Sequence, residues 1–359
     1  MINQLLNHTY LITLLVNDWK TICEYPLIAI KNRFLKSLIG YFSTTESQLL
    51  HGMVFGGSGE DETELNHSLK VIGMQHVTSA SGFNVGLMVS LGSMVTTRFE
   101  RFYELVILCG VVTVYALMAD LTPSIIRAST MAIISLLNRQ LLLRQYSPLR
   151  ALGLVTLVGA LSDWTTISSI SYQLSAAACV GIIFFTSLAN NKNEVSAQWY
   201  TALSTGQTLS PSLLSTSSYL RSIFSEAFVT TCAAQMLTLP IVLYHFGELS
   251  TLSLVSNTVL LWLTPLLTIG GLVFMLLSFI NFVPIVEIIC HWLVFIPLWL
   301  GLQLFIGGAT WLGRYEGSLW IINGFGIWHF LAWYIICGLG YCYYRGRQRR
   351  RARLSLFDV

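Results

Sequence analysis

The chain has 359 residues, of which 54% are hydrophobic and only 10% charged, with a mean hydropathy of +0.66. A soluble domain carries about 25% charged residues, so a soluble globular enzyme, a disordered chain and a fibrous protein are excluded, and an all-α polytopic membrane protein remains. The net charge of +3 is unevenly spread: six of the twenty basic residues, Arg345, Arg347, Arg349, Arg350, Arg351 and Arg353, lie in the last fifteen positions.

Residues 1–70 form an N-terminal segment with an acidic run at Glu60, Asp61, Glu62 and Glu64. No basic n-region or A-x-A site marks a cleavable signal. Residues 27–56 read as an amphipathic helix with Lys31, Arg33 and Lys36 on its polar side, placed on the membrane surface or outside the cytoplasm. A crossing within residues 27–57 is the alternative; it would bury Glu46.

From residue 71 to 344 the chain reads as a transmembrane domain. Charge-free runs mark nine candidate helices: 71–97, 105–119, 128–138, 151–162, 164–191, 227–247, 249–286, 288–313 and 317–344. A spanning helix needs about 20 residues. Runs 105–119, 128–138 and 151–162 fall short, so they read as half-helices or bring Asp120, Arg127 and Asp163 to membrane depth. Pro265 is the predicted kink of run 249–286. Residues 192–226, rich in Ser and Thr, read as a loop, and 345–359 as a basic cytoplasmic tail. With nine spans (ten if the N-terminal segment crosses) and the tail inside, 13 of the 20 Lys/Arg fall on the cytoplasmic side. That orientation puts the C-terminus in the cytoplasm.

The seven cysteines form no C-x-x-C pair and sit mostly in apolar runs; the seven histidines show no H-x-H or H-E-x-x-H. Neither metal nor cofactor is expected. Polar residues instead gather within apolar runs. The first run holds His76, Ser79, Ser81, Gly82 and Asn84, either as a close helix contact or as a broken helix lining a wet cavity. Arg127 follows Pro123 and Ser124; an intramembrane Arg faces a partner or a pathway. Pairing with Asp120 or Asp163 and contact with a substrate are both open. Gln173, Ser175, Gln235, Pro240, His245 and Asn257 add about one polar or helix-breaking site per later helix.

These residues fall into an ordered set of short motifs. His76-Val-Thr-Ser-Ala-Ser-Gly-Phe-Asn-Val85 resembles the H-L-L-A-V-S-G-x-H-V hallmark of the ComEC family of competence proteins. Arg127-Ala-Ser-Thr-Met131 is similar to its R-A-x-x-M, and Tyr172-Gln-Leu-Ser175 to its F-Q-L-S. Ala234-Gln-Met-Leu-Thr-Leu-Pro240 resembles A-Q-x-x-T-x-P; His245-Phe-Gly247 and Asn257 follow in family order. Asn84 stands where the family has its second His, and Asp163-Trp164 where it has D-P. Many members carry an OB-like domain before the channel and a metallo-β-lactamase-like domain after it. This chain has room for neither and lacks the His/Asp metal motif, so nuclease activity is not carried over.

The resemblance implies a non-enzymatic inner-membrane channel passing single-stranded DNA into the cytoplasm during natural transformation. It also implies a DNA receptor, a nuclease and a cytoplasmic helicase supplied in trans, with membrane lipid around the channel. The thirteen polar and helix-breaking residues named above, Asp163 among them, are the DNA-pathway candidates. Two other readings compete. One is a transporter of another polar solute or lipid precursor. The other is an intramembrane serine hydrolase using Ser79 or Ser81 with His245 as base.

Overall fold

A computed structural model describes residues 26–57, 63–142, 147–189, 216–279, 284–322 and 324–354. The acidic run 60–62 and most of the connection 192–226 lie outside them. The first described helix, α1 (26–41), stops at Phe42, and α2 (Thr44–Phe55) begins behind a capping box. The Ser43 hydroxyl accepts from the Glu46 N–H, and the Glu46 carboxylate accepts from the Ser43 N–H at 2.7 Å. The single amphipathic helix expected over 27–56 is therefore two helices. Its polar side is also tied into the bundle: Lys31 pairs with Asp120, and Arg33 donates to the Ser278 carbonyl at 3.3 Å. Phe34, Leu38 and Phe42, spaced by four, pack α1 inward.

Glu46 is buried, as the crossing alternative requires, but its charge is answered by Ser43 and by the Gln303 amide.

The first apolar run is not one helix. α3 (Glu64–Val71) ends at Gly73, whose φ of 69° closes a Schellman turn, Gly73 N–H to Lys70 O and Met74 N–H to Leu69 O. Glycine is required twice there, since a Cβ would also lie 2.7 Å from Ser253 Cβ. A 3₁₀ turn (Gln75–Thr78) and an extended step lead into α4 (Gly82–Thr96).

Charged first-turn residues lengthen the next helix, α5 (Arg101–Met118), beyond its charge-free run. It ends in another Schellman turn with Asp120 and Leu121 at positive φ, 58° and 49°. α6 (Pro123–Leu137) opens on Pro123, and α7 (Pro148–Ser162) on Pro148, each at a position where the missing N–H costs nothing. α8 (Trp164–Ser168), α9 (Ile170–Ala189) and α10 (Thr216–Phe246) follow. Next come β1 (Glu248–Ser250), α11 (Ser253–Leu260), α12 (Leu263–Phe279) and α13 (Pro284–Gly313). β2 (Leu319–Ile321) and α14 (Ile327–Leu354) complete the chain. The bend in run 249–286 is 48° and falls between α11 and α12, just before Pro265, which sits harmlessly in the first turn of α12. The basic residues from Arg345 to Arg353 continue α14 rather than forming a separate tail.

Three buried clusters hold these helices together. The largest joins α1, α2, α3, α12 and α13 through Phe34, Leu50, Phe55, Leu69, Phe274 and Phe305. A second joins α4, α5 and α6, and a third joins α6, α7 and α9. β1 pairs antiparallel with β2, Leu249 opposite Trp320, clasping the connections after α10 and α13 at one end. Arg139 pairs with Glu104 at 3.0 Å, bringing the segment after α6 onto the first turn of α5. Leu161, Val95, Leu293 and Trp328 are among many large apolar side chains left exposed, as expected when the solvent is hydrocarbon. Among the described residues three helices are long and apolar enough to cross a membrane, or four if the bent pair α11–α12 is one span. α4 and α7 have only 15 residues each. The expectation of nine spans therefore depends on short helices.

Pro240 shows how these helices are joined. It lies inside α10 and has no N–H to give the Met236 carbonyl. The Trp333 indole N–H of α14 donates to that carbonyl at 2.8 Å, and the Tyr334 hydroxyl donates to the next one, Leu237, at 2.7 Å. Trp333→Phe is expected to lower unfolding free energy in detergent by about 1 kcal/mol, within the range for side-chain hydrogen bonds in membrane bundles. In a Pro240→Ala background, where residue 240 regains its N–H, the same change should cost less. Equal costs in both backgrounds would rule out the shared carbonyl.

Candidate functional site

The break ahead of α4 carries the hallmark residues. Thr78 and Ser79 turn their hydroxyls back onto the Gln75 and His76 carbonyls, at 2.8 and 3.0 Å, which stabilises the 3₁₀ turn. Ser81 is the N-cap of α4, with extended backbone, and its side chain makes no capping bond. Gly82 opens the helix against α6: a Cβ there would lie 3.1 Å from Ala128 Cβ and 3.4 Å from Arg127 Nη2.

Arg127 projects from the second turn of α6 and is 7% exposed. Its Nη2 and Nε donate to the Ser175 hydroxyl of α9 at 2.6 and 3.1 Å, and Nη1 lies 3.3 Å from Met131 Sδ, one turn on. Cys179, one turn beyond Ser175, reaches the same guanidinium. Three of the sequence motifs thus meet at one point: Ser81-Gly82, Arg127-Ala128 with Met131, and Ser175.

The pairing of Arg127 with Asp120 or Asp163 is corrected. Among the described residues no carboxylate lies within ion-pair distance of Arg127. Asp120 holds Lys31. Asp163 is the exposed N-cap of α8, accepting from the Thr165 N–H and the Thr165 and Thr166 hydroxyls at 2.6–3.0 Å. Those hydroxyls, Thr165 first, hold its carboxyl below the usual range.

Other candidates have structural partners. Asn84 is buried and donates to the Met53 carbonyl at 2.7 Å, beside Tyr115, whose hydroxyl donates to Val54 O at 2.9 Å. Both carbonyls belong to the last turn of α2, which has no helical donors left. Gln173 donates to Ser168 O at 2.9 Å across the α8–α9 break. Gln235 donates to the Ser253 hydroxyl at 3.0 Å; Asn257, one turn further along α11, is buried and its Oδ1 has no partner among the described residues. His76 is exposed. His245 is exposed at the end of α10 against the Tyr244 ring, while the Ser79 hydroxyl is engaged with His76 O.

Tyr115, Ser253 and Trp333 escape sequence reading because each sits in an apolar stretch without a motif. For Trp333 the signal is indirect: a proline inside α10 implies a donor elsewhere.

Asn84→Ala is expected to destabilise the protein by about 1–3 kcal/mol, the cost of an unpaired buried carbonyl. Asn84→His, which keeps a donor, is expected to lose less, measured by thermal unfolding in detergent. A His variant no better than Ala would show that shape rather than donation matters at this position.

Residues 53–347 match the family model described as Competence protein. No curated protein and no solved structure matches the chain. The family match covers most of the sequence and agrees with the ComEC resemblance of its motifs. The chain is therefore a membrane protein and belongs to the Competence protein family, which acts in DNA uptake during transformation.

Proposed function

We propose that this chain is the inner-membrane channel through which one DNA strand reaches the cytoplasm. The observation that carries this reading is the convergence of three family motifs on a buried cation, Arg127, beside the broken start of α4. Discontinuous helices in a membrane bundle mark substrate paths, because irregular backbone survives there only where protein or water satisfies it. In this reading α4, α6, α7, α9 and α14 complete the nine spans as short or polar crossings. The basic end of α14 lies in the cytoplasm.

The chain acts as a conduit and not as an enzyme. Single-stranded DNA is the passenger and membrane lipid the surroundings. A DNA receptor, a nuclease that makes the single strand and a cytoplasmic helicase are supplied in trans. Chemical energy comes from those partners.

The test is uptake of labelled DNA by competent cells with and without the gene. Loss of cytoplasmic label with surface-bound label retained is expected. Unchanged cytoplasmic label would overturn the channel reading. Arg127→Ala is expected to reduce uptake at least tenfold while the protein still inserts, as judged by membrane fractionation; normal uptake would remove Arg127 from the path.

A further inference from the structure

α14 runs unbroken from Ile327 to Leu354, and its two parts differ in kind. Positions 327–344 carry no Asp, Glu, Lys or Arg. As a helix they rise about 27 Å, close to the roughly 30 Å of a hydrocarbon core. Positions 345–354 hold six arginines and rise about 15 Å more. No acidic residue occurs between Glu316 and Asp358, so the helix carries nothing of its own to neutralise them. Arg345 and Arg347 are exposed, and among the described residues no carboxylate lies within ion-pair distance of either. Such a cluster calls for an external polyanion.

Two polyanions are at hand, the lipid headgroups and a nucleic acid strand, and the geometry separates them. The headgroup layer is only about 5–7 Å deep on each side of the core, so a helix end that rises about 15 Å stands clear of it. A helix that lies down on lipid needs an apolar face. At about 100° per residue, positions 345, 347, 349, 350, 351 and 353 fall all around the axis and leave no such face. Aromatic rings also stand where the arginines begin. Arg345 Nη1 donates to the Tyr341 hydroxyl at 3.1 Å, with Cζ 5.7 Å from that ring's centre. Phe184 of α9 meets Tyr341 edge-on at 5.0 Å, and Tyr343 is 73% exposed. Guanidinium groups beside exposed rings suit a single strand, whose phosphates and base faces are both accessible; a duplex hides its base faces. The post is held by the bundle through Trp333 and Tyr334 on α10 and Tyr341 on α9.

We propose that the basic end of α14 is a docking post for single-stranded nucleic acid, binding phosphates through its arginines and a base on Tyr343. Its use as the receiver of an incoming strand rests on the channel reading; strand binding itself does not.

The test is binding of a fluorescent oligothymidylate to the full chain in phosphatidylcholine nanodiscs, which leave both faces open and carry no net charge. Anisotropy is expected to show salt-dependent binding. Changing all six arginines to glutamine should weaken it at least tenfold and lower the log–log salt slope by up to about 4, at about 0.7 for each single-strand phosphate contact. Changing all six to lysine should keep the slope. Tyr343→Ala should weaken binding about fivefold at unchanged slope, the low end for loss of one stacked base.

Absence of binding, or the same affinity and slope in the glutamine variant, overturns the post. Equal affinity for a duplex of the same length, or no effect of Tyr343→Ala, overturns the single-strand assignment. Full displacement of the oligonucleotide by phosphatidylglycerol at equal phosphate concentration assigns the arginines to lipid headgroups and overturns it as well. Uptake lost on gene deletion without strand binding in nanodiscs would overturn the post alone. Arginine-dependent binding with uptake unchanged by gene deletion would overturn the channel reading alone.

Discussion

Backbone carbonyls freed by broken helices set the terms of this fold. A bundle with an apolar exterior offers no water to satisfy them, so each break needs a donor from another element. Asn84 and Tyr115 serve the end of α2, Gln173 the gap between α8 and α9, and Trp333 and Tyr334 the carbonyls around Pro240. The end of α3 is held the same way: Ser250 donates to Val71 O and Ser256 to Ile72 O, both at 2.7 Å. Polar residues in apolar helices are thus chiefly the joints of the structure. That accounts for their presence on almost every helix without assigning each of them to a path.

Set against those joints, Arg127 is different in kind. A carbonyl needs one donor and is then neutral to its surroundings. A guanidinium keeps its charge whatever hydroxyl it meets, and Ser175 and Met131 cannot neutralise it. Glu46 shows how the same protein treats a buried charge with a structural purpose: a capping N–H and the Gln303 amide both converge on the carboxylate. Lys31 and Arg139 likewise have carboxylate partners. Arg127 lies among family motifs yet has only neutral described partners, which separates it from the joints.

The sequence made the class of the protein legible because composition alone excludes water as its main solvent. It also made the membership of the polar set legible, since charge and amide groups stand out in apolar runs. Geometry was hidden wherever a local rule overrode the apolar pattern. Hydropathy alone reads the first run as continuous, and the broken helix that its polar cluster offered as an alternative is made by Gly73 and the serine-rich step after it, which leave a 3₁₀ turn ahead of α4. Ser43 split the N-terminal helix through its capping box. The bend in run 249–286 moved ahead of Pro265 because a proline in a first turn has no helical partner to lose. Ion-pair choice was the least legible: Asp120 met Lys31 from a helix about ninety residues earlier, a contact that depends on tertiary packing and has no local signature.

The same structure bears on how a polyanion would be handled. A passage lined by many cations would bind a strand tightly and release it slowly, since every phosphate contact adds counterion-release free energy. Conduction requires binding strong enough to admit the passenger and weak enough to let it leave. Here six of the twenty basic residues lie at the end of α14, while the motifs that meet ahead of α4 bring in one guanidinium, Arg127, bonded to a neutral hydroxyl. A fixed Arg–Asp pair at the same place would have to be broken for a polyanion to reach the guanidinium, whereas the described partners of Arg127 are all neutral.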